Sequence, residues 1–159
     1  MKTETVFNSL MRHAKKEGVT LTHLKVQKLL YFLHGYYLAK TGKPLLDEPF
    51  QAWQYGPVEC SLYNKLRSYG GAPIDKYFPE IDKETGKESY FVVSEKNVDF
   101  HNALNMVWDE YGNLDGVRLS TLSHEPGSPW ATTSRANDEI DNKVIKDYFS
   151  KKLNQREVH

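Results

Sequence analysis

The chain has 159 residues, of which 39% are hydrophobic and 13% aromatic, with a formal net charge of zero and one cysteine. This length predicts one domain, residues 1–159, able to bury a core without metal or disulfide staples, and the composition excludes a disordered chain. The N-terminus carries no cleavage signal, no apolar run is long enough to span a membrane, and a lone cysteine suits a reducing compartment, so a cytoplasmic protein with no membrane partner is expected.

Charge is only mildly uneven. Residues 1–80 hold 11 Lys/Arg against 7 Asp/Glu, and residues 81–159 hold 10 against 14. That tilt is not the basic footprint of a duplex-binding protein, so no strong nucleic-acid signal is present.

In chain order, Val6, Phe7, Leu10, Met11 and Ala14 predict a helix from about Glu4 to Glu17, closed by Gly18. Thr22 is the expected N-cap of a second helix, with Leu21 and Val26 at hydrophobic-staple positions and Gly42 as its stop. That helix is apolar on most faces, which predicts a central element contacted from several sides. Phe50 to Tyr55 alternates enough for a short strand. Pro57 suits the first position of a third helix, in which Val58, Leu62, Leu66 and Tyr69 follow at helical spacing until Gly70-Gly71. YFPEI and ESYFVV read as a hairpin with turn chemistry at Thr85-Gly86, Pro79 confining the first strand to an edge.

Ser94 is the expected cap of a helix carrying Phe100, Leu104, Val107, Trp108 and Tyr111 and ending at Gly112. Asp115 caps a short helix that Pro126 ends, a loop follows, and Asp141 caps the last helix, with Ile140 and Ile145 as staple and Tyr148 and Phe149 inward. The expected fold is mainly α: a compact single-domain helical bundle of about five to six helices with a small antiparallel β element.

Candidate chemistry is sparse. Cys60 is expected inside the third helix, one position past its first turn. A helix N-terminus can lower a thiol pKa, and a nucleophile there needs a base such as His34 or His124; the simpler reading is a small apolar residue filling a gap. The six histidines form no His-x-x-x-His pair and no cysteine knuckle accompanies them, so no metal or other cofactor is expected. Ser123-His124-Glu125 sets three triad residue types side by side. Triads are assembled in space, however, and this run reads better as a helix C-terminus entering a turn. Gly70-Gly71 follows a helix, where no phosphate loop is wanted. Asp47-Glu48 and Asp109-Glu110 read as solvated faces. What stands out is aromatic surface: Tyr31, Tyr36, Tyr37, Trp53, Tyr55, Tyr63, Tyr69 and Trp130 serve either as core or as a partner groove.

Three ordered motifs carry a resemblance. The first joins Gln27, Lys28, Leu29, Leu30, Tyr31 and Phe32 to Gly42, Pro44 and Leu45, then to Ala52, Trp53, Tyr55, Gly56, Pro57, Val58 and Tyr63. The second is Ser123-His124 followed by Pro129-Trp130, and the third is Ile140, Ile145, Tyr148 and Phe149. Over nearly its whole length the chain resembles the Panacea domain, the SocA-like antitoxin family, with Val26 in place of the usual leucine and Ser123 in place of the usual threonine. The resemblance implies a non-enzymatic antitoxin, at home in phages and other mobile elements. It would neutralise a cognate toxin protein by direct binding, in at least one relative as an adaptor to a cytoplasmic protease. No DNA-binding or zinc module precedes the motifs, which argues against autoregulation by this chain alone. Gln27, Lys28, Tyr31, Trp53, Tyr55, His124 and Trp130 are the expected partner-binding residues. The rival readings are a mobile-element protein modulating a host factor, a hydrolase using Cys60 or His124, and a nucleic-acid-binding repressor.

Overall fold

The computed structural model describes residues 1–158. Helix α1 (Thr3–Glu17) buries the predicted stripe of Val6, Phe7, Leu10, Met11 and Ala14 and stops at Gly18 in the left-handed region, φ 70°. Helix α2 (His23–Thr41) follows its predicted cap: the Thr22 side chain accepts from the Lys25 amide, and Gly42 closes the far end at φ 73°. Every residue from Lys25 to Leu38 is buried. An all-round buried helix is possible only at the centre of a bundle, and α2 packs against α3, α4, α5 and α7 at once.

The remaining elements are β1 (Phe50–Trp53), β2 (Gly56–Glu59), α3 (Cys60–Leu66), β3 (Glu80–Ile81), β4 (Glu88–Ser89), α4 (Val98–Tyr111), α5 (Gly116–Ser123), α6 (Pro129–Thr132) and α7 (Asn142–Val158). The fold is mainly helical, with six substantial helices, the single-turn α6, and two antiparallel hairpins. Asp115 and Asp141 cap as predicted, accepting from the amides of Arg118 and Lys143 at 2.8 Å each.

Four expectations need correction. Gly56-Pro57 does not start a helix. Gly56–Glu59 is the second strand of a hairpin whose register sets Phe50 opposite Glu59 and Trp53 opposite Gly56, leaving Gln54-Tyr55 as a two-residue turn. Pro57 is tolerated because β2 is an edge strand, and α3 begins at Cys60, capped by the Glu59 carboxylate on the amides of Ser61 and Leu62. The helical spacing of Val58, Leu62 and Leu66 thus ran across a strand end, and Cys60 is the first helical residue rather than one past the first turn. Tyr69 lies in a 3₁₀ turn (Arg67–Tyr69) after α3. Finally, α4 is capped by Asn97, whose side chain accepts from the Phe100 amide; Ser94 makes a tighter local turn onto Lys96.

Long-range polar contacts tie the elements together. The buried Asn8 of α1 donates to the Phe78 and Phe91 carbonyls and accepts from the Phe78 amide, gripping the chain on both sides of the β3–β4 hairpin. Lys25 donates to the carbonyl of Gly112 at 2.6 Å, placing a cation at the C-terminus of α4.

Helices α2 and α7 pack closely where Gly35 sits under the Phe149 ring. A Cβ on Gly35 would fall well inside contact distance of three ring carbons. Alanine is favoured over glycine in a helix by about 1 kcal/mol, but overpacking a close-fitted core costs about 1–3 kcal/mol. Gly35→Ala is therefore expected to destabilise the protein, as a lower urea midpoint at unchanged slope. An unchanged or raised midpoint would mean that the Phe149 ring yields without cost.

Candidate functional site

The two motifs around Trp53-Tyr55 and His124-Trp130 meet at the β1–β2 hairpin. Two antiparallel strands of four residues are marginal alone, and side chains from three helical segments hold this pair. The Trp130 indole donates to the Trp53 carbonyl at 2.6 Å, and Ser120 of α5 donates to the Tyr55 carbonyl at 2.6 Å. His124 Nε2 lies 3.0 Å from the Gln54 carbonyl, and Lys28 of α2 donates to the Pro57 carbonyl at 3.0 Å. Gln27 faces the open edge of β2 as a strand would: its amide donates to the Glu59 carbonyl at 3.1 Å and its carbonyl accepts the Glu59 amide at 2.9 Å. On the other edge, residues 137–140 add backbone bonds to Phe50 and Ala52.

Gly56 lets these groups close. Its φ of 111° lies in a region that side chains rarely adopt, and a Cβ there would meet Ser123 Oγ at 2.5 Å and Lys28 Cε at 2.9 Å. His124 stacks edge-on against Trp130 at 4.0 Å between ring centroids.

Of the predicted partner-binding residues, Gln27, Lys28, Trp53 and Tyr55 line one pocket of about 410 Å³ between α2 and the hairpin. His124 and Trp130 lie behind the turn and hold its shape. Tyr31 lies apart, 1% exposed in the core between Phe50 and Phe149, with its hydroxyl unpartnered among the described residues and its pKa raised well above the ordinary tyrosine value by burial. Gln27 and Lys28 are buried; Trp53 is half-buried, and Tyr55 is 65% exposed.

Sequence reasoning missed His23, Gln54 and Asn137 as pocket residues. His23 lies one turn before Gln27, on the same helix face, and its ring packs on Tyr63, which packs on Trp53 in turn; that i, i+4 spacing was the signal available. Asn137 carries φ 67°, a conformation that asparagine tolerates better than most residues.

The residues offered for catalysis are committed elsewhere. His34 is buried in the core, accepting from the Leu46 amide at Nδ1 and bonding Asn142 through Nε2. Both ring nitrogens of His124 face carbonyl oxygens, those of Ser120 and Gln54. The Cys60 thiol is raised by burial and by the carboxylates of Glu59 and Glu139, the opposite of an activated nucleophile. Ser123, His124 and Glu125 point to three places: the Ser120 carbonyl, the hairpin turn, and Tyr148 with Lys152 of α7.

Lys28 dominates the electrostatics of the site. It is fully buried, and burial pushes its pKa down to about 7. His23 beside it is lowered by burial and then by the Lys28 charge. A lysine depressed in the folded state binds fewer protons than its unfolded counterpart between pH 7 and about 10.4, so the contribution of Lys28 to stability rises with pH across that window, opposed near its top by the raised Cys60 thiol and buried tyrosines. We expect the Lys28 contribution to the unfolding free energy to climb by up to about 4 kcal/mol from about pH 7 to about pH 10. Lys28→Met should flatten that climb in chemical denaturation, and an equal slope in both proteins would refute the assignment.

The family model described as "Antitoxin SocA-like, Panacea domain" matches residues 26–131, which span the pinned hairpin and the side chains of α2, α5 and α6 that hold it. The chain is similar to Antitoxin SocA of Caulobacter vibrioides (strain NA1000 / CB15N), 32% identical over 154 residues, covering 91% of this chain and 80% of that protein. No solved structure matches. The helix, hairpin and Trp130 segment that the sequence motifs singled out are thus the parts of one construction, and the chain belongs to the SocA-like antitoxin family with a Panacea domain.

Proposed function

We propose that this protein neutralises a cognate toxin by binding it directly, using the face formed by the β1–β2 turn and the pocket beside it. The observation that carries this reading is Tyr55, 65% exposed on a turn whose Trp53, Gln54 and Tyr55 carbonyls are met by side chains. A large aromatic presented on a fixed backbone loses little conformational freedom on binding, which is what interface hot spots require. Family membership and the name of the Caulobacter relative support the toxin as partner. The engaged ring nitrogens of His34 and His124 and the raised Cys60 thiol favour a binder over a catalyst.

Co-expression with the product of the adjacent gene tests the reading. Rescue of growth and co-purification of the two chains are expected; failure of both would end it. Loss of the toxin polypeptide in place of a stable complex would mark delivery to a cytoplasmic protease. Tyr55→Ala should leave the urea midpoint unchanged, since the side chain is largely solvated, and weaken the complex by about tenfold or more. Full affinity in that variant would move the interface off the turn.

A further inference from the structure

The pocket between α2 and β2 holds a cation without an anion. Lys28 is 0% exposed and its hydrogen bond is to the Pro57 carbonyl. None of the ion pairs among the described residues includes it. The nearby Glu59 carboxylate is taken up by Ser61 and by the Leu62 amide at the start of α3. Beside Lys28, the buried Nε2 of His23 also has no partner among the described residues. An ammonium in this position is strongly disfavoured unless an anion reaches it.

The walls ask for something different. Leu24, Trp53, Val58 and Tyr63 line the same pocket, whose volume of about 410 Å³ is in the range that takes a small ligand or a buried anchor residue. A carboxylate alone would leave those walls unfilled, and an apolar side chain alone would leave Lys28 unpaired. The last residue of a polypeptide offers both from one Cα. Trp53, Gln54 and Asn137 also border a second groove of about 560 Å³, lined by Trp130, beside the first, where the preceding residues could lie. The exposed amides of Gln54 and Asn137 lie along that groove to bond an extended backbone.

We propose that this pocket receives the C-terminal residue of the polypeptide partner, its terminal carboxylate on the Lys28 ammonium and an apolar side chain against Trp53, Val58 and Tyr63. The proposal rests on the binding function set out above and gives that partner a chemical signature. A carboxylate bound there stabilises protonated Lys28, so binding takes up a proton and weakens as pH rises through about 7.

The test uses N-acetylphenylalanine as a mimic of a C-terminal residue, with N-acetylphenylalanine amide and 3-phenylpropionate as controls, titrated into the full chain and followed by amide chemical shifts. The acid should bind in the millimolar range, perturb Lys28, Trp53 and Tyr63, and exceed the amide by about tenfold. Its affinity should fall between about pH 6 and about pH 8.5, and Lys28→Met should bind acid and amide alike. Equal binding of acid and amide by the wild-type chain, an affinity independent of pH, or no binding of the acid would overturn the proposal. The pH profile needs no variant, so it decides the matter even if Lys28→Met fails to fold. Tighter binding of 3-phenylpropionate would overturn the polypeptide source in favour of a free small acid. A Gly-Ser-Gly extension of the co-purified toxin's C-terminus should weaken the complex by about tenfold, and an unweakened complex would overturn the terminal assignment. Rescue of growth is read separately, so failure of the probes with intact rescue sinks only this proposal, and binding of the probes without rescue sinks only the antitoxin reading.

Discussion

The fold depends on a hairpin that has almost no sheet to belong to. β1 and β2 are four residues each, and their turn carries carbonyl oxygens that an isolated pair would leave to water. Instead Trp130, His124, Ser120 and Lys28 meet the carbonyls of Trp53, Gln54, Tyr55 and Pro57. A typical hydrogen bond contributes only about 1 kcal/mol net, but stripping the partner from a buried carbonyl costs about 1–3 kcal/mol. Only the Lys28 contact is fully buried, those of Trp130 and Ser120 are partly so and that of His124 is exposed, so together they fix the shape of the turn more than they raise overall stability. Gly56 is the geometric condition for the Lys28 contact, since Lys28 and Ser123 occupy the space a Cβ would take.

Helix α2 can supply Lys28 to this turn, and Gln27 to the Glu59 backbone beside it, only because it is buried on every side. A central helix is normally apolar throughout, yet Lys25, Gln27, Lys28 and His34 are buried in it. Each is answered by a specific group: Gly112 O, the Glu59 backbone, Pro57 O, and Asn142 with the Leu46 amide. Three of these tie α2 to loops or strand ends that hydrophobic contact alone would leave free to slide. The polar residues of α2 thus set where the surrounding pieces stop, and its apolar residues supply the driving force. Lys25 and Lys28 each reach a single carbonyl, but Asp115 favours the charge on Lys25, whereas burial alone acts on Lys28.

Helices with local signals were legible in the sequence. Thr22, Asp115 and Asp141 cap where their residue types and the following apolar spacing put them, and α1, α2, α4 and α7 bury the predicted faces. The Gly56-Pro57 step was misread because proline fits both a helix start and an edge strand, and Val58 continues the α3 spacing by coincidence. What decides between them is Gln27, 32 residues away from Glu59, acting as the missing neighbour strand. Asn8 gripping Phe78 and Phe91 is equally invisible, because its partners lie 70 and 83 residues along the chain. Of the site, the motif residues were visible as a set. Their division into pocket wall, turn support and core was not, because it depends on which way each side chain points.

That division also gives the motif chemistry a physical reading. Gln27 must donate and accept on one plane to stand in for a strand, which an amide does and a carboxylate of the same length does not. Position 56 must lack a Cβ, and position 130 needs a donor on a ring large enough to reach Trp53 O while packing on His124. Tyr55 is different in kind. Its backbone carbonyl is held by Ser120, yet its side chain is 65% exposed and forms none of the aromatic contacts that engage Trp53, Tyr63 and Trp130. Residues that hold the turn are explained by the fold they complete. The side chain of Tyr55 is not used by the fold beneath it, and the rigidity of that turn is what would make an encounter there selective.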